Sequence, residues 1–396
     1  MTIAHSTNEQ LFDIAIIGAG PVGLAIAGWL ACRSTAQHWS IALIDERDLT
    51  VCIKNPCAIA LSYGSRILLD TLAWPDDVTP IKQIHISQRG HFGRTLIEHD
   101  DYNLPALGYV VRYKSLIDSL VHAVKRTHVQ LFTLTSVCSM HQDDNYVTLY
   151  IKKEQALRTL RARIVINAEG GLFDTQLVDK NRYNYDYQQT AIVGVVTVSA
   201  PRPNVAWERF TNEGPLALLP LNGLNQADYA FVWCCSSDKA IHRSTLPDDA
   251  FLFELNDTFG SRMGRFEKIV GRTSYKLGLN VKKTLIDHRI VFVGNAAQTL
   301  HPIAGQGLNL GLRDAYTITN ILLTHSQEIT LLSELFNTHR ATDRCITICS
   351  TDILTWLFAI NIGPFSVIRG AALTALEFLP PLKTIIARQM IFGQRV

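Results

Sequence analysis

Three glycines in the spacing G-x-G-x-x-G, Gly18, Gly20 and Gly23, follow an apolar run (residues 12–17, FDIAII) and precede a stretch of small and apolar residues (24–32). A second apolar run (40–44, SIALI) ends on Asp45 and Glu46. That order predicts strand, tight turn, helix, strand and acid, the arrangement that cradles a dinucleotide. Gly18 permits the turn, Gly20 lets backbone approach a pyrophosphate, and Gly23 lets the helix pack close to the strand. The helix N-terminus turns free N–H groups and a partial positive charge towards the phosphates. Asp45 stands at the spacing of a ribose-hydroxyl acceptor, and Glu46 beside it can share or take the role. The triad does not separate NAD from FAD, although its N-terminal position favours FAD.

A second group of chemistry-bearing residues lies near position 300. A strand-type run (289–294, RIVFVG) leads into Asn295, His301, Pro302, Gly305, Gln306, Gly307, Leu308 and Asn309. A loop closed by Gly-x-Gly, with a helix starting near Gly307, aims another helix N-terminus at a ligand. Backbone N–H groups there suit an atom that becomes anionic, such as the N1–C2=O2 edge of a reduced flavin. Pro302 would stiffen the loop beside the ring.

GNAAQTLHPIAGQGLNLGLRDA, taken with IIGAGPVGLAIA, resembles the FAD-dependent aromatic hydroxylases of the p-hydroxybenzoate hydroxylase type, and among them the ubiquinone-biosynthesis branch. HISQRGHFG from His85, DYNLPALGYVV from Asp101 and ERFTNEGPLALLP from Glu208 are similar to the 2-octaprenyl-6-methoxyphenol hydroxylases of that branch. The resemblance covers roughly residues 11–390. It implies FAD as cofactor, NAD(P)H as electron donor, and hydroxylation of a polyprenylated phenol by O2 through a flavin C4a-hydroperoxide. It also implies a ubiquinone-biosynthesis protein complex as partner. Gly18, Gly20, Gly23, Asp45, Glu46, Arg112, Glu169, Asn295, Gly305, Gln306, Gly307, Leu308 and Asn309 are the candidate cofactor residues. Arg112 either reaches the cofactor or is solvated. His301 and Pro302 are the candidate catalytic pair, His301 either orienting or deprotonating a phenol or bracing the loop. Glu208, Arg209 and Phe210 are candidates for the substrate entrance. Three departures from the family pattern stand out. Glu169-Gly170 replaces the usual Asp-Gly, Asn295 replaces an Asp found in many relatives, and Cys57 replaces an Arg. Glu169 and Cys57 keep open a non-catalytic FAD-binding subunit. A flavin hydroxylase of another aromatic and a flavin reductase of prenyl groups are further alternatives.

The elements that must hold these residues give an α/β fold: a Rossmann-type FAD-binding domain with an inserted β-sheet substrate domain and a helical C-terminus. Residues 1–80, 106–180 and 281–396 are assigned to the discontinuous FAD-binding domain, and 81–105 and 181–280 to the β-rich substrate domain. Patchy alternation over 81–99 predicts a strand pair, and 113–125 reads as an amphipathic helix. Residues 129–160 read as strands with a hairpin at Asp143, and 190–198 and 229–235 as strands of a substrate sheet. No second G-x-G-x-x-G follows residue 30, which fits transient use of NAD(P)H without a dedicated domain. Of 396 residues, 47% are apolar and 18% charged, with a net charge of +2. The balance argues against a nucleic-acid partner. Charge below the usual ~25% points to a large core or an apolar surface. The eight cysteines show no C-x-x-C, and no metal site is expected. The first 13 residues lack a secretory pattern, and the uncharged stretch 353–368, broken by Asn361, Gly363 and Pro364, is short of the ~20 residues of a membrane span. The expected location is cytoplasmic, peripheral at the inner membrane, with Lys383, Arg388 and Arg395 facing anionic lipid.

Overall fold

The computed structural model describes residues 10–33, 36–49, 57–171, 181–223, 226–325, 329–359 and 363–394. Its first sheet has the order Ile286–Asp287, Ile290–Phe292, Ala156–Asn167, Gln10–Ile17, Ile41–Ile44, Gln130–Phe132. Gln10–Ile17 pairs in parallel with Ala156–Asn167 on one side and Ile41–Ile44 on the other. Its continuous apolar run is buried because helices or strands cover both faces. A parallel sheet built outwards from a central strand opens a crevice at its carboxyl edge, where ligands bind. The helix Pro21–Cys32 carries no charge and is buried almost throughout, wedged against the helices Tyr113–Lys125 and Gln306–His325. Trp29 and Tyr316 meet edge to face at 5.2 Å in that wedge.

Among the described residues the second sheet has eight strands, running from Gln298–Thr299 through Phe266–Lys282, Arg182–Val198, Asp228–Ser236, Pro215–Pro220, Val205–Phe210 and Gln83–Gln88 to Arg94–Glu98. Period-2 alternation divides it into two faces. The back face carries Trp207, Phe231 and Trp233, packed with Phe251 and Phe259 from the helix Asp248–Phe259. That helix and its neighbour Ser237–Thr245 were not anticipated from the sequence. The front face looks towards a three-stranded sheet of Ala58–Ser62, Gly108–Arg112 and Val78–Ile81. The long pair Arg182–Val198 and Phe266–Lys282 runs on to the strand Gln298–Thr299, so the second glycine-rich loop is tied to the substrate sheet.

Beyond the loop, Gln306–His325 is locked to the helix Ile329–Ala359 by buried ion pairs. Arg313 Nε meets Asp343 at 2.8 Å and Arg340 Nε meets Asp314 at 2.6 Å between the helices, and within the second helix Arg340 Nη2 meets Asp343 at 2.6 Å. Asp314 is fully buried. Its carboxylate also accepts from Gln298 Nε2 at 2.8 Å. The helices Gly363–Phe378 and Pro380–Phe392 close the chain. The first lies on the edge strand Arg94–Glu98, where Thr95 Oγ1 donates to the Leu373 carbonyl at 2.7 Å. The second packs on the helix Tyr63–Asp70, with Tyr63 and Phe392 edge to face at 6.1 Å.

Candidate active site

A cleft of about 440 Å³ opens at the carboxyl edge of the parallel sheet. Gly18, Gly20, Asp45, Glu46, Glu169, Asn295, Gly307 and Leu308 all line it. The two glycine-rich segments, almost 300 residues apart, therefore converge on one space.

The glycines there do two different things. Gly18 has φ +94°, and a Cβ on it would lie 2.8 Å from the Ala168 carbonyl oxygen. A Cβ on Gly23 would lie 1.9 Å from the Gly18 oxygen. These two are glycines because protein already fills the space. A Cβ on Gly20 or Gly307 would meet no protein atom within 4 Å. These two are open, each at the N-terminal end of a long helix, where free N–H groups favour an anion. Two open cradles facing one cleft fit a ligand with a pyrophosphate and a second electron-rich group, as in FAD.

Asp45 and Glu46 divide the work at the end of Ile41–Ile44. Asp45 is buried, and its carboxylate accepts from Ala19 N at 2.6 Å and from Arg47 N, Nε and Nη2 at 2.8, 2.9 and 2.9 Å. Burial opposes ionisation, but these bonds outweigh it and hold the carboxyl below its usual range. Asp45 thus fastens the glycine turn, leaving exposed Glu46 as the acid better placed to meet a ribose. Glu169, exposed on the cleft rim, completes an acidic corner, its carboxyl pushed up by partial desolvation and by the Glu46 and Asp45 carboxylates. Its backbone N–H donates to Asn167 Oδ1 at 2.9 Å. Arg47 and Tyr113 line the same cleft and were not singled out from the sequence. Their only signals were adjacency to the acid pair and to Arg112. Arg112 itself is turned away, its Nε 3.4 Å from Asp77.

The loop near 300 is braced from within. Gly305 has φ +60° and Ala304 φ +59°, a left-handed pair that reverses the chain beside Ala60. Pro302 precedes that turn, and its carbonyl accepts from Gly305 N at 3.0 Å. Asn309 uses all its capacity internally. Its Oδ1 accepts from Ser62 N and Ser65 Oγ at 2.9 and 2.7 Å, and its Nδ2 donates to the Ala60 and Gly305 carbonyls at 3.2 and 2.7 Å. Gln306 donates to the Ala304 and Met390 carbonyls at 3.1 and 3.3 Å, away from the cleft. His301 is buried, and burial pushes it down to about 3. Its Nδ1 accepts from Ile303 N at 3.3 Å and its Nε2 meets Gln189 Oε1 at 3.1 Å. Both ring nitrogens are thus engaged, one within the loop and one with Gln189, which is the bracing arrangement. Asn309, Gln306 and His301 shape the loop, while Gly307 and Leu308 present it to the cleft.

Glu208, Arg209 and Phe210 alternate across the second sheet. Glu208 and Phe210 share the front face, Phe210 packing with Ile303 at the loop. Arg209 points to the back, its Nη1 donating to Ser87 Oγ at 3.4 Å. His85, also on the back, stacks on Trp207 at 4.4 Å.

Residues 12–330 match the family described as the FAD binding domain. The chain is 29% identical over 402 residues to the ubiquinone hydroxylase UbiL of Rhodospirillum rubrum, covering 96% of this chain and 89% of that protein. It is 23% identical over 434 residues to the ubiquinone biosynthesis monooxygenase COQ6, mitochondrial, of Homo sapiens, covering 96% and 92%. Among solved structures it is similar to the p-nitrophenol 4-monooxygenase PnpA of Pseudomonas putida DLL-E4, with a TM-score of 0.76 at 15% identity over 98% of this chain and 100% of that one. PqsL of Pseudomonas aeruginosa, a probable FAD-dependent monooxygenase, gives 0.71 at 16% identity over 92% and 100%. The two glycine cradles, the inserted sheet and the family match agree: the chain belongs to the FAD binding domain family and has the fold of the FAD-dependent monooxygenases.

Proposed function

We propose that this protein is an FAD-dependent monooxygenase of ubiquinone biosynthesis that hydroxylates the ring of a polyprenylated phenol, with NAD(P)H as electron donor and O2 as oxidant. The observation that carries the reading is the pairing of open cradles at Gly20 and Gly307 with an apolar sheet face beyond the Gly305 turn. The similarity to UbiL and COQ6 supports the pathway. FAD, when bound, supplies the oxygen-activating chemistry. Gly20 and the N-terminus of the first helix would take the pyrophosphate, Glu46 the ribose, and Gly307 with Leu308 the electron-rich edge of the ring. The front face of the second sheet would hold the phenol and keep water away.

A lipid-borne substrate needs an approach from a membrane. Among the described residues no helix is long and apolar enough to cross one. The bent pair Gly370–Phe378 and Pro380–Phe392, angled at 101°, exposes Phe378, Leu379, Leu382, Ile385 and Ile386. That patch suits peripheral contact at an inner membrane, or a partner in a biosynthetic complex. Lys383 does not join it as a free cation, since it pairs with Glu377 at 3.2 Å, and Arg395 lies outside the described residues. Deleting the gene tests the pathway. Loss of ubiquinone with accumulation of a prenylated precursor lacking one ring hydroxyl is expected, and unchanged ubiquinone would refute the reading. Complementation by a variant that no longer binds FAD would favour a non-catalytic subunit instead.

A further inference from the structure

One row on the front face of the substrate sheet, across its five central strands, is apolar except at Glu208. In register across it run Ile86, Glu208, Ala217, Val232 and Val193. All five keep partial exposure although they lie within an inward-looking sheet, so the face borders open space. Along its own strand, Glu208 sits between Ala206 and Phe210. Ala206 packs in the cluster with Ala58 and Ala60, and Phe210 packs with Ile303 and Ala304. Glu208 therefore looks into the gap between those two flavin-side elements.

The carboxyl has no hydrogen bond or ion pair among the described residues. Although the residue keeps partial exposure, desolvation of the carboxyl pushes it up to about 8, which favours the protonated form, able both to donate and to accept. Diagonally across the strand pair, Gln88 is in register with Phe210 on the same face. Gln88 is 4% exposed, and its Oε1 is buried without a partner. Buried polar groups are normally satisfied, and an unpaired one costs stability. The buried Gln88 oxygen and the part-exposed Glu208 carboxyl, neither with a partner among the described residues and both on one face, point to a ligand that brings its own hydroxyl.

We infer that Glu208, with Gln88 beside it, anchors the phenolic hydroxyl of the substrate on the front face of the sheet. The inference rests on the aromatic-hydroxylase reading and names the substrate contact within it. The apolar row around Glu208 takes the ring, while the carboxyl and the Gln88 oxygen fix which edge of the ring faces the flavin.

The holoenzyme is titrated with 2-geranylphenol and with its O-methyl ether, 2-geranylanisole, by flavin fluorescence. Wild type should bind the phenol about tenfold more tightly than the ether, the worth of one or two hydrogen bonds. Glu208→Ala should bring the two ligands within about twofold of each other, and Glu208→Gln should keep an intermediate preference. Both variants should melt at or above the wild-type temperature, because the lost carboxyl had no partner. A full tenfold preference in Glu208→Ala, no preference in wild type, or a clear fall in melting temperature in both variants would overturn the inference and leave the hydroxylase reading standing. Failure of wild type to bind either ligand would overturn the substrate reading itself.

Discussion

The cleft at the edge of the parallel sheet and the front face of the substrate sheet are built on opposite principles. In the cleft the buried acid Asp45 is saturated, accepting four hydrogen bonds. Behind it, Asn309 makes four and His301 two. The backbone at Gly20 and Gly307 is left bare. On the substrate face the backbone is engaged in sheet pairing, and the groups without a partner among the described residues include the side chains of Glu208 and Gln88. One region offers main chain held rigid by saturated side chains. The other offers side chains held apart on a rigid main chain. A cofactor that stays bound suits the first, and a substrate that enters and leaves suits the second.

Substitutions can break that contrast in order of size. Gly23→Ala should have the largest effect. Its methyl collides with the Gly18 carbonyl, so the melting temperature should fall by roughly 10 °C or more, or the protein should be insoluble. Gly20→Val should separate ligand from fold: FAD affinity weakens roughly 100-fold while the apoprotein melts within about 2 °C of wild type. Equal damage to both proteins would mean that Gly20 is structural like Gly23. Asn309→Ala removes four bonds from the loop brace and should cost about 3 kcal/mol by urea denaturation.

The smallest effect concerns His301 and is one of pH. Its folded pKa, about 3, lies below the ordinary value of 6.5. The unfolded chain takes up the proton first as pH falls, so the stabilisation is complete above pH 6.5 and is lost on descent towards 3. His301→Asn should flatten part of the loss of melting temperature between pH 6.5 and 4.5. An unchanged slope would show that His301 is not held neutral.

The same contrast explains what could be read beforehand. The cradle was legible because turns and close approaches demand glycine at fixed spacing, and Gly18, Gly20, Gly23 and Gly307 all lie where that demand places them. The helix Tyr113–Lys125 and the strand pair from residue 83 to 98 were legible from periodicity. The partners of Asp45, Asn309 and His301 were not, because hydrogen bonds between Asn309 and Ser62, or His301 and Gln189, join residues far apart in the chain. A polar residue in a motif reads equally well as ligand or as brace. Arg112 shows the converse: it follows a strand that reaches the cleft, yet its side chain leaves towards Asp77 while Tyr113 turns in. Glu208 was legible only as part of a stretch, since its isolation depends on which face of the sheet it occupies.

The central claim is that reduced flavin in this cleft delivers oxygen to a phenol held on the facing sheet. The direct measurement is mass spectrometry of 2-geranylphenol after turnover with the FAD-loaded enzyme, NAD(P)H and 18O2. One 18O atom in a new ring hydroxyl, formed only when all components are present, is the predicted result. NAD(P)H consumption that leaves the phenol unlabelled would contradict it.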